Sequence, residues 1–165
     1  RIEFYESLWK GEPSCYRDYA GTKEKVYELK KFIDSQPKNW ILCHIDSVQD
    51  NFLIRVEGED EKISLIDWEY AGMQDEDVDI AMFAIYAMYE KDKVDELIDA
   101  YYTEGCTREV RLKIYAYIAV CGFLWSNWCE FKRHEGVEFG EYSLRQYGYA
   151  KEYYKYVKQG LGGEQ

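Results

Sequence analysis

The chain has 165 residues, of which 47% are hydrophobic, so it can fill the core of one domain and is not expected to be disordered. Its 21 Lys and Arg residues against 32 Asp and Glu residues give a net charge of −11, which argues against nucleic acid as a partner because phosphates require a basic surface. Five cysteines without a Cys-x-x-Cys pair, and only two histidines, favour neither a zinc site nor a disulfide framework and predict reduced thiols in a cytoplasmic protein.

The first half of the chain predicts one helix followed by short strands. Apolar residues recur at helical spacing over residues 22–34, with Thr22 as the expected cap. After a break at Pro37, the runs "WILCHI" and "NFLIRVEG" have the composition of strands. Residues 52–56 and 63–67 are expected to pair as a hairpin across the polar turn "EGEDEK".

The second half predicts helices almost throughout. Periodic segments are expected to form helices over residues 78–90, 93–104, 107–135 and 141–159. The longest uncharged run, residues 114–129, has 16 residues, which is short for a membrane span and predicts a buried helix. Residues 160–165 are expected to be a frayed tail. The sequence therefore predicts a single domain over residues 1–165 of the α+β class, mainly α-helical, with a small β-hairpin set into a helical lobe.

Polar side chains crowd the segment between the first two strand-like runs. His44, Asp46 and Asn51 have the H-x-D-x-x-x-x-N spacing of kinase catalytic loops, and Asp67 ends a later apolar run. Phosphoryl transfer needs such groups because a divalent metal must bridge the phosphate oxygens, and Mg²⁺ binds hard oxygen ligands. Asp67 and the Asn51 amide oxygen are the candidate Mg²⁺ ligands, and Asp46 would accept a hydrogen bond from the acceptor hydroxyl. His44 is expected to brace the loop; the alternative is a core histidine with acids that only shape a turn.

The segments "LCHIDSVQDNFL", "LIDWEYAG" and "DVDIAMF" together resemble the choline/ethanolamine kinase family, whose members have a protein-kinase-like fold. The resemblance extends over residues 40–150, and the "DWEY" form at residues 67–70 points to choline kinases. It implies ATP-dependent phosphorylation of a small amino alcohol with Mg²⁺, choline being the leading acceptor. Two departures from the family pattern are Ser47, where leucine is common, and Asp50, which adjoins the proposed metal ligand.

By motif position, the resemblance implies that Asp46 is the catalytic aspartate and that Asn51 and Asp67 are the metal ligands. Asp79, in "DVDIA", matches an aspartate that supports the catalytic loop from the start of the next helix. A plain helix N-cap is an equally good interpretation of Asp79.

Aromatic residues are unusually frequent, with 17 Tyr and 5 Trp. Choline carries a quaternary ammonium without an N–H donor, so a site can hold it by facing it with aromatic rings. The candidate substrate-binding rings are Tyr70, Tyr86, Tyr89, Trp125, Trp128 and Tyr142. Tyr86 and Tyr89 share a helix face by their spacing, as do Trp125 and Trp128, although packing in the core is the alternative for each ring. The resemblance supports Trp125, while Gly122 stands where some relatives carry a further Trp.

A complete kinase of this kind also needs a glycine-rich loop over the phosphates and a strand lysine that contacts them. Neither is present, and "GLGG" at residues 160–163 lacks the strand–turn–helix context. We therefore expect the chain to be the carboxy-terminal lobe, without the amino-terminal nucleotide lobe, and to turn over little ATP by itself. The alternatives left open are ethanolamine, thiamine or an aminoglycoside as acceptor, or a non-catalytic module that binds a small cation or a partner protein. The oligomeric state is also left open.

Overall fold

The computed structural model describes residues 1–58 and 60–162 and shows a helical lobe with two small antiparallel β-ribbons. In chain order the elements are α1 (Ile2–Ser7), α2 (Tyr19–Ser35), β1 (Trp40–Cys43), β2 (Phe52–Glu57), β3 (Asp60–Leu65), β4 (Gly72–Asp75), α3 (Asp77–Tyr86), α4 (Lys91–Tyr101), α5 (Arg108–His134) and α6 (Glu141–Gly162). The predicted α+β class with mainly helical content is confirmed. All four strands lie between α2 and α3 along the chain, and the segments that connect them carry the candidate site.

The predicted hairpin is formed by β2 and β3, with a shorter turn than expected. The strands pair from Phe52 opposite Leu65 to Glu57 opposite Asp60. Residues 60–62, which the sequence assigned to the turn, instead continue the strand, because their backbone groups gain ladder hydrogen bonds with β2.

A second ribbon, formed by β1 and β4, was not predicted. Leu42 lies opposite Met73 and Cys43 opposite Gly72. The sequence of β4, Gly-Met-Gln-Asp, contains no β-branched residue and no clear alternation, so it has no strand signature of its own. β1 provides its pairing partner, and this pairing places the start of α3 beside the segment that follows β1.

Two helix boundaries differ from the predicted ones for identifiable reasons. α2 begins at Tyr19, before the expected cap Thr22. The Thr22 hydroxyl is buried and accepts a hydrogen bond of 2.8 Å from the Tyr147 hydroxyl, so it serves helix packing and does not cap. α3 ends at Tyr86, earlier than residue 90, and this changes which side chains share its face.

The expected frayed tail is helical in the part that the structure describes. α6 continues to Gly162, and a Cβ at Gly160 would collide with the side chain of Leu112, so the last turn packs against α5. Residues 163–165 of that predicted tail, including the last glycine of "GLGG", lie outside the described residues.

The core forms where α5 packs against α2, α3 and α6, and the uncharged run 114–129 supplies much of its buried face. At Gly122 the backbones of α5 and α6 come together, because a Cβ there would lie 2.7 Å from Tyr149 Cβ and 2.8 Å from the Gln146 carbonyl oxygen. Fully buried side chains of the core include Ile85, Ile98, Ile114, Ile118, Phe123, Tyr149 and Tyr153. Within the described residues, no helix combines the length and apolar character that a membrane span requires.

Candidate active site

The polar segment 44–51 forms a loop that leaves β1 and is fastened at its start by Asp79 of α3. The two carboxylate oxygens of Asp79 accept hydrogen bonds of 2.8 Å from the backbone N–H groups of His44 and Ile45. Ile45 has a φ of 71°, a left-handed conformation that is costly for a β-branched residue. The carboxylate therefore holds a strained turn immediately before Asp46, which is the contact that a loop-supporting role for Asp79 requires.

The imidazole of His44 joins this loop to the segment after β3. The side chain is buried, its ring lies edge-on to Trp68 at 4.7 Å, and Nε2 is 2.9 Å from the Ile66 carbonyl oxygen. The Ile66 N–H in turn donates a 2.9 Å hydrogen bond to the backbone oxygen of Asn51. The loop and the residues just before Asp67 are thus linked at two points, which brings two segments that are remote along the chain to one location.

Asn51 and Asp46 are in direct contact. The Asn51 amide nitrogen donates a 2.8 Å hydrogen bond to the Asp46 backbone oxygen and lies 3.4 Å from the Asp46 carboxylate. Because Nδ2 is committed to Asp46, the orientation of the buried amide is fixed, and its carbonyl oxygen is the atom left to act as a ligand.

Asp67 is exposed and has a φ of 63°, so the chain turns sharply at this residue. Within the described part of the chain, its carboxylate makes no hydrogen bond or ion pair. An uncommitted carboxylate and an oriented amide oxygen are the hard donors that Mg²⁺ accepts, with phosphate oxygens and water completing the shell. Among the described residues, no cluster of three or more His, Cys, Asp or Glu residues could hold a metal.

A pocket of about 660 Å³ opens beside Asp46, and aromatic side chains form most of its wall. The rings of Tyr86 and Trp125 contact each other edge-to-face, with their centroids 5.4 Å apart. The ring of Phe139 lies between two others, 5.0 Å from that of Trp128 and 6.2 Å from that of Tyr142. Five of the six predicted rings line this pocket: Tyr70, Tyr86, Trp125, Trp128 and Tyr142.

Tyr89, the sixth predicted ring, lies outside this pocket. α3 ends at Tyr86 and Met88 has a φ of 51°, so residues 86 and 89 do not share a helix face as the spacing predicted. The Tyr89 carbonyl accepts hydrogen bonds from the Tyr149 hydroxyl at 2.8 Å and from Arg145 at 3.1 Å. Its ring lines a neighbouring cavity beneath the β2–β3 hairpin.

The pocket also contains aromatic rings that sequence reasoning did not identify. Tyr5 of α1 and Phe139, which precedes α6, both line it. Phe139 lies three positions before the predicted ring Tyr142, which was an available signal. Tyr5 had none, because α1 reaches the pocket only by tertiary packing and lies 41 positions before Asp46 in the chain.

The electrostatic setting of the pocket keeps its tyrosines protonated. Burial raises the pKa of Tyr86 strongly, and the nearby negative charge of Asp46 raises it further. Burial is likewise the main cause of the raised pKa of Tyr142, and the negative charge of Asp46 contributes. For exposed Tyr70, the charge of Glu69 is the main cause of a raised pKa, followed by burial and Asp46. The three hydroxyl groups are therefore neutral, and the negative charge of Asp46 contributes to the raised pKa of each.

The protein is a helical lobe that carries the loop 44–51 and, after the following hairpin, Asp67. The carboxy-terminal lobe of kinase-like phosphotransferases has the same arrangement. The sequence model described as "Choline/ethanolamine kinase" matches residues 4–120, and the chain belongs to that family. The family resemblance inferred from the three motifs is therefore confirmed.

Individual relatives agree with this assignment. The chain is 33% identical to Protein LicA of Haemophilus influenzae over 127 residues, which are 72% of this chain and 34% of LicA. It superposes on the crystal structure of LicA in complex with AMP with a TM-score of 0.74 and 27% identity, covering 94% of this chain and 53% of that one. For choline kinase LicA from Streptococcus pneumoniae the TM-score is 0.69, with 27% identity, 98% of this chain and 53% of that one. The chain thus spans between a third and about half of the length of these relatives.

Proposed function

We propose that this chain forms the catalytic and acceptor-binding lobe of an ATP-dependent kinase that phosphorylates the hydroxyl group of choline. The observation that supports this most directly is the aromatic pocket that opens on Asp46, since it combines a site for an organic cation with the group that would receive a hydroxyl proton. The family of the chain and its similarity to choline kinase LicA point to the same reaction.

Each polar residue has a definite task in this proposal. Asp46 accepts a hydrogen bond from the choline hydroxyl and aligns it for in-line attack on the γ-phosphate. Asn51 and Asp67 would hold Mg²⁺, which when bound would supply positive charge against the negative charge of the phosphate. His44 and Asp79 do not touch the substrates; they fix the loop so that Asp46 and Asn51 keep their contact.

The character of the pocket favours choline over the alternative acceptors. A trimethylammonium group gains about 0.5–2 kcal/mol from each well-placed ring, and Trp125, Tyr86 and Trp128 offer such rings. Ethanolamine has N–H donors and would be held best by several carboxylates, as would an aminoglycoside with its multiple charges. Only Asp46 and Asp50 are acidic among the described residues that line the pocket.

The nucleotide would be held partly by residues outside this sequence. Residues 1–165 contain no glycine-rich loop with a following strand lysine, so we propose that an amino-terminal lobe supplies those contacts to ATP. ATP as co-substrate and five cysteines with free thiols support the cytoplasm as the location of the reaction.

The test is the response of the full-length protein to loss of one pocket ring. We expect Trp125→Ala to raise the KM for choline about tenfold, since roughly 1.4 kcal/mol of ring contact is lost, while the KM for ATP changes little. The matched control is Trp40→Ala, which removes an exposed Trp on β1 outside the pocket and is expected to change neither constant. Equal increases in both KM values would contradict the aromatic-pocket assignment.

A binding measurement separates the catalytic proposal from a non-catalytic module. Calorimetric titration of the full-length protein with choline, ethanolamine and Mg²⁺–ATP is expected to give tighter binding of choline than of ethanolamine, and saturable binding of Mg²⁺–ATP. Choline binding without any Mg²⁺–ATP binding would favour the module instead.

A further inference from the structure

A buried ionic cluster lies behind the loop, on the side of α3 that faces away from the aromatic pocket. Its centre is Lys113 of α5, whose Nζ lies 2.9 Å from a carboxylate oxygen of Asp75 and 2.8 Å from one of Asp77. The same ammonium donates hydrogen bonds of 2.8 Å to the Pro37 carbonyl oxygen and 2.9 Å to Asp75, while its contact with Asp77 is an ion pair. Asp75, Asp77 and Lys113 are each at most 5% exposed.

Further polar groups hold the two carboxylates in place. The Tyr117 hydroxyl donates to Asp75 at 3.0 Å, and the Asn39 backbone N–H donates to its other oxygen at 3.2 Å. The Tyr102 hydroxyl donates to Asp77 at 2.6 Å. The cluster therefore connects five parts of the fold: the segment before β1, the end of β4, the start of α3, the end of α4 and the first half of α5.

The cluster sets two carboxylates, Asp75 and Asp77, against the single ammonium of Lys113. Burial lowers the pKa of Lys113, but its hydrogen bonds and charge interactions with Asp75 and Asp77 outweigh burial and raise it, so the side chain stays charged. Burial raises the pKa of Asp77, while the bonds from Lys113 and Tyr102 act in the opposite direction. A buried ion cluster of this kind is a poor source of net stability compared with apolar packing, whereas it fixes geometry tightly. Because Asp77 belongs to the first turn of α3, the geometry that the cluster fixes is the position of that turn.

We propose that Lys113 is a positioning residue for the catalytic loop. Asp77 is in the first turn of α3, two residues before Asp79, whose carboxylate holds the N–H groups of His44 and Ile45. By anchoring Asp75 and Asp77, Lys113 sets the position of this first turn and so the position of the Asp79 carboxylate. Lys113 thereby acts on Asp46 through Asp79, without contact with any substrate. This role in catalysis rests on the proposed function.

The positional part of the proposal is tested without any activity assay. Hydrogen exchange of the full-length protein is compared with that of Lys113→Met, following the amides of His44 and Ile45 against amides in α6. We expect exchange at the two loop amides to accelerate at least tenfold more than exchange in α6, because the Asp79 carboxylate loses its fixed position. The control, Val157→Ala, removes buried side-chain volume in α6 and is expected to show no selective effect on the loop.

A milder variant covers the case in which Lys113→Met does not fold. Tyr102→Phe removes the hydroxyl that donates to Asp77 at 2.6 Å, and to Glu76 at 3.3 Å, and keeps the ammonium in place. We expect a selective acceleration of about threefold at the His44 and Ile45 amides. Equal acceleration throughout the protein in the variant that folds would show that the cluster only stabilises the fold and would overturn the proposal.

The catalytic part is tested by steady-state kinetics of the same full-length variants. Lys113→Met is expected to lower kcat at least tenfold and to leave the KM for choline within about twofold, since the pocket is not touched. Lys113→Arg, which keeps the charge, should recover part of kcat. If exchange at the His44 and Ile45 amides accelerated selectively in Lys113→Met while kcat stayed unchanged, the role of Lys113 in catalysis would be refuted. A wild-type protein without kinase activity would instead refute the proposed function, while the exchange experiment would still decide the positional part.

Discussion

Residues 44–51 and the pocket beside them adjoin at Asp46, yet they are held in place by different kinds of contact. The loop depends on directed hydrogen bonds from buried polar groups, such as those from the His44 and Ile45 amides to Asp79. The pocket depends on rings that contact each other at 5–6 Å, as Tyr86 and Trp125 do. A hydrogen bond weakens steeply when its angle is distorted, whereas the attraction within a ring cluster is spread over many individually small contacts. The loop should therefore respond to single substitutions sharply, and the pocket in smaller steps.

The largest effect is expected for Asp46→Asn in the full-length protein. We expect kcat to fall by about 10²–10⁴-fold, the usual contribution of a positioned general base. The loop itself should persist, because Asn51 donates its 2.8 Å hydrogen bond to the backbone oxygen of residue 46, which the variant retains. Steady-state kinetics with choline and ATP measure the loss, and the melting temperature reports on the fold.

The matched control for this prediction is Asp50→Asn. Asp50 also lines the pocket but is exposed, so its charge is screened and we expect less than about a threefold change in kcat. If the two variants lost the same activity, overall negative charge near the pocket would be the cause, and the specific role of Asp46 would be wrong.

The sequence information that predicts the loop is local. The spacing of His44, Asp46 and Asn51 is contained in eight consecutive residues, and Asp67 follows one hairpin later. The helices of the second half were also found, since their apolar periodicity is strong. For these parts, residue pattern and tertiary environment favour the same structure.

The parts that the sequence did not predict depend on contacts between distant segments. β4 exists because β1 pairs with it, and Tyr5 enters the pocket because α1 packs against α5. Lys113 is a further case, since an isolated Lys in an apolar helix gives no sign of the two carboxylates that it meets 36 and 38 positions earlier. Tyr89 was expected in the pocket because the spacing assumed four more residues of helix than α3 contains.

A second prediction concerns the helix packing that supports the pocket. Gly122→Ala introduces a Cβ within 2.8 Å of α6, and we expect the free energy of unfolding to fall by about 1–3 kcal/mol. Affinity for choline should fall with it, because α5 carries Trp125 and α6 carries Tyr142. Denaturant unfolding and titration with choline measure the two effects, while exchange at the loop amides should stay as in the wild type.

Gly148→Ala provides the control within α6. A Cβ there would meet only the Glu152 carboxylate, at 3.6 Å, so the substitution fits and should stabilise the helix by up to about 1 kcal/mol. Destabilisation of both variants to the same extent would mean that close approach at Gly122 is not the cause.

The smallest effects are expected when Tyr86 and Tyr89 are compared. Tyr86→Leu removes one pocket ring, and we expect the KM for choline to rise about threefold to tenfold, within the range of a single cation–π contact. Tyr89→Leu should change this KM less than about twofold, because loss of a ring outside the pocket removes no such contact. The hydrogen bonds to residue 89 use its backbone carbonyl and survive the substitution, so the end of α3 should keep its shape. If the KM for choline rose more in Tyr89→Leu than in Tyr86→Leu, the acceptor would lie in the cavity beneath the hairpin. The end of α3 at Tyr86 would then no longer explain which rings bind the acceptor.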